Sequence, residues 1–452
     1  MRAFPTRTAA TLVIFALLLV AASRFVPAVS LPSQTTLAHI VEFKPDSTPL
    51  WPWKPHINPE AIIPAHPRIA APRNFIDDDG AMDRFYAALW RTERHEPMAI
   101  TRILHYGDSP TTADLITGDT RQLLQQRFGD AGHGFTLIGK PWAWYGHWGI
   151  DLSSHGWQID PGTRWDLRNT QFGLGGVVFS THGAAYSKVT LRDSSQPVLE
   201  VWFLSQPGGG SITVSSNDET LGHIDTDGPS RTAGFARFDL PPGTGTLEFN
   251  TEGSVRMFGI TLEKRHSGVV YDSLGMNGAS VSSLAVLFNE SNWAAELRHR
   301  NPDLVILNYG TNESGFESFL THDYEKQLRE AIRRVRAALP NASILVMSPM
   351  DRGQKNGGEI ETMPTIPRIV DIQRRVAVEL HCGFFNTYET MGGEGTMARW
   401  YDSQPRLVSA DFIHPTPQGA RIVANLFVKE LLAGLSRYKL RQIRANTLAE
   451  VR

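Results

Sequence analysis

The chain has 452 residues, 41% hydrophobic and 20% charged, a composition that suits a soluble globular protein with room for two or three domains. Its 44 Lys+Arg against 46 Asp+Glu leave a formal charge of −2, so no global field draws it onto nucleic acid or an anionic membrane. The only cysteine, Cys382, excludes an internal disulfide, and stability has to come from packed cores.

Residues 1–30 read as a signal peptide or N-terminal anchor. Arg2 and Arg7 precede an apolar stretch over 9–22, which is short of the roughly 20 residues a spanning helix needs. The expected location is therefore periplasmic or in the cell envelope, and membrane contact is expected only through an uncleaved anchor. Residues 31–78 are proline-rich and lack periodicity, as in Trp51-Pro52-Trp53-Lys54-Pro55, and read as a linker or extended segment.

Beyond that, apolar runs predict strands over 100–106, 269–273, 304–309, 344–348 and 384–387. Amphipathic patterns predict helices over 113–128, 281–289, 324–339, 367–380 and 417–435. Continuous apolar strands alternating with helices imply an α/β three-layer sandwich around a parallel sheet, here split between 79–149 and 266–440. Over 150–265 the pattern changes to short β-prone runs broken by glycine, proline and Asn217-Asp218, which predicts an inserted β-sandwich module. Residues 441–452 form a basic C-terminal tail, read as a solvated helix end.

Polar motifs collect after the predicted strands, where open parallel sheets bind ligands. The first strand runs into Gly107-Asp108-Ser109-Pro110, the second into Leu274-Gly275-Met276-Asn277-Gly278, and the third into Gly310-Thr311-Asn312-Glu313. Asp411-Phe412-Ile413-His414 lies just before the last helix, with Thr416 as expected N-cap and Pro417 at the first helical position. Serine is a weak nucleophile until an imidazole takes its proton, and that imidazole needs a carboxylate to fix its tautomer. Ser109, His414 and Asp411 supply these three parts. The Ser109 and Gly278 amides and the Asn312 side chain supply oxyanion donors.

These four blocks resemble the SGNH/GDSL hydrolase superfamily, named for its Ser, Gly, Asn and His. The resemblance implies a flavodoxin-like sheet of about five strands and metal-independent ester hydrolysis without a cofactor. The module inserted after the first block is similar to the jelly-roll, carbohydrate-binding arrangement of bacterial peptidoglycan and polysaccharide O-acetylesterases. Pro110, which has no N–H, and Glu313, in place of the common aspartate, depart from the family pattern. His133, His147 and His155 have no zinc-site spacing, so no metal is expected.

The expected activity is removal of short acyl groups, acetyl above all, from a polysaccharide such as peptidoglycan or from a small ester, with no nucleic-acid partner. Asp108 and Glu313, beside the catalytic groups, and Trp144 and Trp148, in the aromatic run 142–148, are candidate substrate contacts. An O-acyltransferase using the same triad and a catalytically silent glycan-binding envelope protein are the alternatives.

Overall fold

The apolar runs assemble into one sheet in the computed structural model, which describes residues 74–450. The expected export segment and nearly all of the proline-rich stretch lie outside the described residues. The strands are β1 (Phe75–Ile76), β2 (Ile100–Gly107), β3 (Gly268–Gly275), β4 (Leu304–Asn308), β5 (Ser343–Met347) and β6 (Gly383–Phe385). They lie in the order β1-β6-β5-β4-β2-β3. All pairs from β2 to β6 are parallel, and only β1 runs antiparallel, against β6. Counted along the chain, the parallel strands follow the flavodoxin-like order 2-1-3-4-5. Such a sheet is buried on both faces, and all of β3 is buried accordingly.

The helices are α1 (Asp83–Glu93), α2 (Ser109–Thr112), α3 (Ile116–Phe128), α4 (Glu290–Arg300), α5 (Tyr324–Ala338), α6 (Thr365–Glu379) and α7 (Pro417–Glu450). Successive strand residues point to opposite faces. Ile103, Leu304, Ile306 and Leu345 accordingly pack with Phe85, Leu124 and Phe427 of α1, α3 and α7. Leu104, Val305 and Val346 pack instead with Trp293, Leu328 and Ile369 of α4, α5 and α6. These are the three expected layers.

Three predicted helices differ; the last, expected over 417–435, runs on to Glu450 as α7. The helix expected over 113–128 begins only at Ile116, as α3, because Asp114 takes φ 52° and separates it from α2. Its buried carboxylate binds the Arg121 guanidinium, the Thr117 hydroxyl and the Trp148 N–H, contacts that hold the kink. Over 281–289 only one π-turn forms, Ser283–Leu287, because the chain turns there to enter α4 through the Asn289 cap.

Between α3 and β3 the chain builds two antiparallel sheets. One has the order Glu219–Asp225, Ser211–Ser216, Thr246–Glu252, Tyr186–Leu191, Ile150–His155. The other has the order Thr232–Asp239, Val198–Ser205, Val255–Glu263, Val177–Thr181, Gln158–Pro161, with Gly134–Thr136 also paired to Val255–Glu263. Alternating burial along Tyr186–Leu191 directs Val189 and Leu191 inward, where they share an apolar cluster with Phe179, Trp202 and Met257 of the second sheet.

A buried charge cluster fastens this β module to the α/β sheet. Arg300 of α4 donates from Nε to Asp272 Oδ2 of β3 at 2.6 Å and from Nη2 to Oδ1 at 3.0 Å, and it also pairs with Glu263 of the module. Asp272 Oδ1 accepts the Phe135 N–H as well. All described residues fall within one compact unit, Ala70–Arg452.

Candidate active site

Ser109 is the first residue of α2, which leaves the carboxyl end of β2 without a loop. So abrupt a turn requires close approach: a Cβ on Gly107 would lie 2.3 Å from Thr111 Oγ1. The Thr111 and Thr112 N–H groups close onto the Asp108 carbonyl, which fixes the serine at the strand end. Its side chain is 9% exposed, just reachable from solvent.

The loop before α7 brings the other two groups to it. His414 Nε2 lies 2.7 Å from Ser109 Oγ, and His414 Nδ1 lies 2.6 Å from Asp411 Oδ2. A carboxylate facing Nδ1 requires the proton on that nitrogen, which leaves Nε2 with a lone pair toward the serine. Asp411 Oδ1 meanwhile accepts the Ile413 and His414 N–H groups at 3.0 Å each. Burial raises the Asp411 carboxyl, but these backbone donors and the imidazole outweigh it and hold the group below its usual range. The N-cap expected at Thr416 is present, its hydroxyl accepting the Gly419 N–H at 3.3 Å.

The loops after β3 and β4 converge on the same edge. Gly278 is exposed at φ +72°, with nothing within 4 Å of where a Cβ would sit, so its backbone is open to a ligand. Asn312 is half-buried and donates one Nδ2 hydrogen to the Ala279 carbonyl at 2.8 Å, which ties the two loops together and leaves its second N–H for another acceptor. Met276 N–H reaches the Gly107 carbonyl at 3.0 Å and ties the Gly278 loop to the serine strand.

Glu313 and Asp108, expected to touch substrate, are both buried, and Glu313 is taken up by backbone donors. Glu313 is 1% exposed, and its two oxygens accept the Val281 N–H at 2.9 Å and the Gly310 N–H at 3.0 Å. Burial pushes its pKa up to about 7 against the pull of these donors. Asp108 is buried at 4% exposure, and burial pushes its pKa up to about 6, opposed by Thr311 and His414. The aromatic run packs its backbone against α2, with the Gly146 N–H on the Thr112 carbonyl. The indoles of Trp144 and Trp148 are left exposed, and Trp148 borders a small depression beside Arg121 and Arg192.

Several neighbours carried no motif. Arg352 donates from Nη1 to the Thr311 carbonyl at 2.7 Å and to Ser314 Oγ at 2.9 Å, and its charge faces both Asp108 and Asp411. Phe412, inside the Asp-x-x-His motif, takes φ 60°, a conformation a bulky residue rarely adopts. Its carbonyl accepts the Gly353 N–H at 2.9 Å, and its ring packs on Tyr401 with centroids 4.9 Å apart. No local pattern could have announced either residue, because each depends on partners distant in sequence, Thr311 and Ser314 for Arg352 and Gly353 and Tyr401 for Phe412.

Residues 228–422 match the GDSL-like lipase/acylhydrolase family, a stretch that holds Gly278, Asn312, Asp411 and His414 and leaves Ser109 outside. A solved structure of a peptidoglycan O-acetylesterase is 23% identical and covers 80% of this chain and 99% of its own, with a TM-score of 0.69, so the two share a fold. The acetylxylan esterase Axe2 from Geobacillus stearothermophilus is 20% identical over 36% of this chain and 73% of its own, and its TM-score of 0.28 is too low to build on. No curated protein matches the chain. The matched stretch and the shared fold are both similar to those of GDSL-like hydrolases. In fold the chain resembles a peptidoglycan O-acetylesterase.

Proposed function

We propose that this protein is an exported O-acetylesterase acting on a cell-envelope polysaccharide, peptidoglycan being the first candidate, through an acyl-enzyme on Ser109. The observation that carries the reading is the unbroken relay from Ser109 Oγ through His414 to Asp411, set beside Gly278 and Asn312. Support for the substrate comes from the shared fold with a peptidoglycan O-acetylesterase, and support for export comes from the arginine-flanked apolar N-terminus.

Ser109 Oγ attacks the ester carbonyl while His414 Nε2 takes its proton. The carbonyl electron pair moves to oxygen, where the Ser109 and Gly278 amides and the free Asn312 N–H receive it. The imidazolium gives its proton to the departing sugar oxygen as the C–O bond breaks, leaving acetyl on Ser109. Water then attacks, His414 again takes and returns a proton, and acetate leaves. Asp411 holds the Nδ1 proton in place and stabilises the imidazolium. Glu313 acts as a positioning residue, since one carboxylate spans the Gly278 and Asn312 loops. Trp144 and Trp148 remain substrate-contact candidates through their exposed rings.

The test is acetate release from O-acetylated peptidoglycan, set beside acetylated xylan, by the native chain and by Ser109→Ala. The proposal expects release from peptidoglycan that is lost in the variant. Release from xylan alone would overturn the substrate, and equal release by both proteins would overturn the mechanism.

A further inference from the structure

Next to the oxyanion loops lies a cleft of about 630 Å³ that shares Gly278 and Asn312 with the catalytic edge, within the range of small-ligand sites. One side comes from the β module, where Trp165 follows the strand Gln158–Pro161 and stands 59% exposed. Another comes from the segment after Asn312, where Phe316 stands 66% exposed. Large aromatic faces left in water, with Leu287 and Phe319 also in the lining, point to a contact site. Serine hydroxyls at 280, 282 and 283 also line the cleft, as do the carboxylates of Glu317 and Asp323.

Among the described residues, no lysine, arginine or histidine lines this cleft. Arg368 pairs with Glu317 but is not itself part of the wall. A carboxylated or phosphorylated ligand would therefore meet like charge, with no cation in the wall itself to receive it. An uncharged sugar meets what it needs, with aromatic faces for its C–H surfaces and hydroxyl and carboxylate oxygens for its O–H and N–H groups.

We infer that this cleft is a subsite for a neutral oligosaccharide segment of the substrate, with Trp165 and Phe316 as its stacking platforms. The inference deepens the polysaccharide esterase reading and rests on it for the position of the scissile ester. It also gives the β module a part in the site: through Trp165 it forms a wall of the substrate cleft. Any acidic or peptide-bearing unit of the same glycan lies outside the cleft.

Calorimetric titration with triacetylchitotriose and xylotriose, both neutral and free of ester, tests this on the native chain. Trigalacturonate serves as the carboxylated counterpart, with Trp165→Ala and Phe316→Ala as variants. Both side chains are exposed, so the variants should fold, which unchanged melting temperatures would verify. At least one neutral trisaccharide should bind, each variant should weaken that binding about tenfold, as expected for loss of one aromatic contact, and trigalacturonate should bind at least tenfold more weakly than the neutral ligand. Absence of binding by both neutral probes, equal binding by the variants, or tighter binding of trigalacturonate would each overturn the inference. Hydrolysis of 4-nitrophenyl acetate, run in parallel, keeps the two readings apart. Saccharide binding without hydrolysis would sink the esterase and leave the subsite standing, while hydrolysis without binding would do the reverse.

Discussion

Replacing Asp411 with asparagine changes one atom type in the relay while leaving its scaffold in place. Oδ1 can still accept the Ile413 and His414 N–H groups that shape the loop, both at 3.0 Å. The second position, now an NH2, faces His414 Nδ1 where a carboxylate stood at 2.6 Å. Two donors cannot share that contact, so the imidazole moves its proton to Nε2 and loses the lone pair that would deprotonate Ser109. In a fully buried triad this tautomer switch costs about 10⁴ in kcat. Here the Asp411 side chain is 46% exposed, and water can satisfy part of the changed contact. The expected loss is accordingly smaller, about 10²–10³ in kcat, or roughly 3–4 kcal/mol of barrier. The assay is steady-state hydrolysis of 4-nitrophenyl acetate, with thermal melting as the fold control. Activity within about threefold of the native protein, in a variant that melts normally, would mean that Asp411 does not set the tautomer of His414.

Asn312→Ala removes the proposed oxyanion donor and the bond to the Ala279 carbonyl; kcat should fall about 10²–10³-fold with a smaller change in KM, measured on the same ester. A Glu313→Gln variant should show a different pH dependence of stability. In the native protein burial holds this carboxyl at about 7 against an ordinary 4.5, so the folded state keeps a proton the unfolded state has lost, and stability falls as pH rises across that window. Glutamine removes this slope while that of Asp108 remains, so the melting temperature of the variant relative to the native protein should climb from pH 4.5 to 7 and then level off; parallel melting curves would contradict the burial argument. Arg300→Ala leaves Asp272 buried without its partner and should cost about 3–5 kcal/mol in denaturant unfolding, whereas a loss below about 1 kcal/mol would mean the cluster does not fasten the module. Gly278→Ala meets no steric obstacle, so its cost should be only the left-handed backbone, about 1–2 kcal/mol of stability by the same measurement.

The parallel sheet was legible because strands covered on both faces must be apolar throughout, as at Leu304–Asn308, and such runs stand out without any knowledge of their neighbours. Ser109, Asp411 and His414 were legible for a related reason: each sits in a short segment whose turn chemistry is written locally. What escaped depends on contacts across the fold. Helix α1 packs Tyr86 against Tyr438, with ring centroids 6.0 Å apart, and it is that distant helix which stabilises it. The break at Asp114 follows from a buried ion pair with Arg121, and the placement of Arg352 follows from the Thr311 carbonyl and the Ser314 hydroxyl in the loop after β4. Glu313 looked like a substrate contact because it adjoins Asn312, yet its direction is set by the Val281 and Gly310 N–H groups it binds. The aromatic run 142–148 stands out by density, while Trp165 and Phe316, which line the cleft beside Gly278 and Asn312, are isolated in sequence.

The most direct measurement of the central claim is mass spectrometry of the intact protein after treatment with a fluorophosphonate, followed by peptide mapping. A single adduct on Ser109 that disappears in His414→Ala is the predicted result. Unmodified Ser109 in folded, native protein, or labelling that is indifferent to His414, would contradict the account.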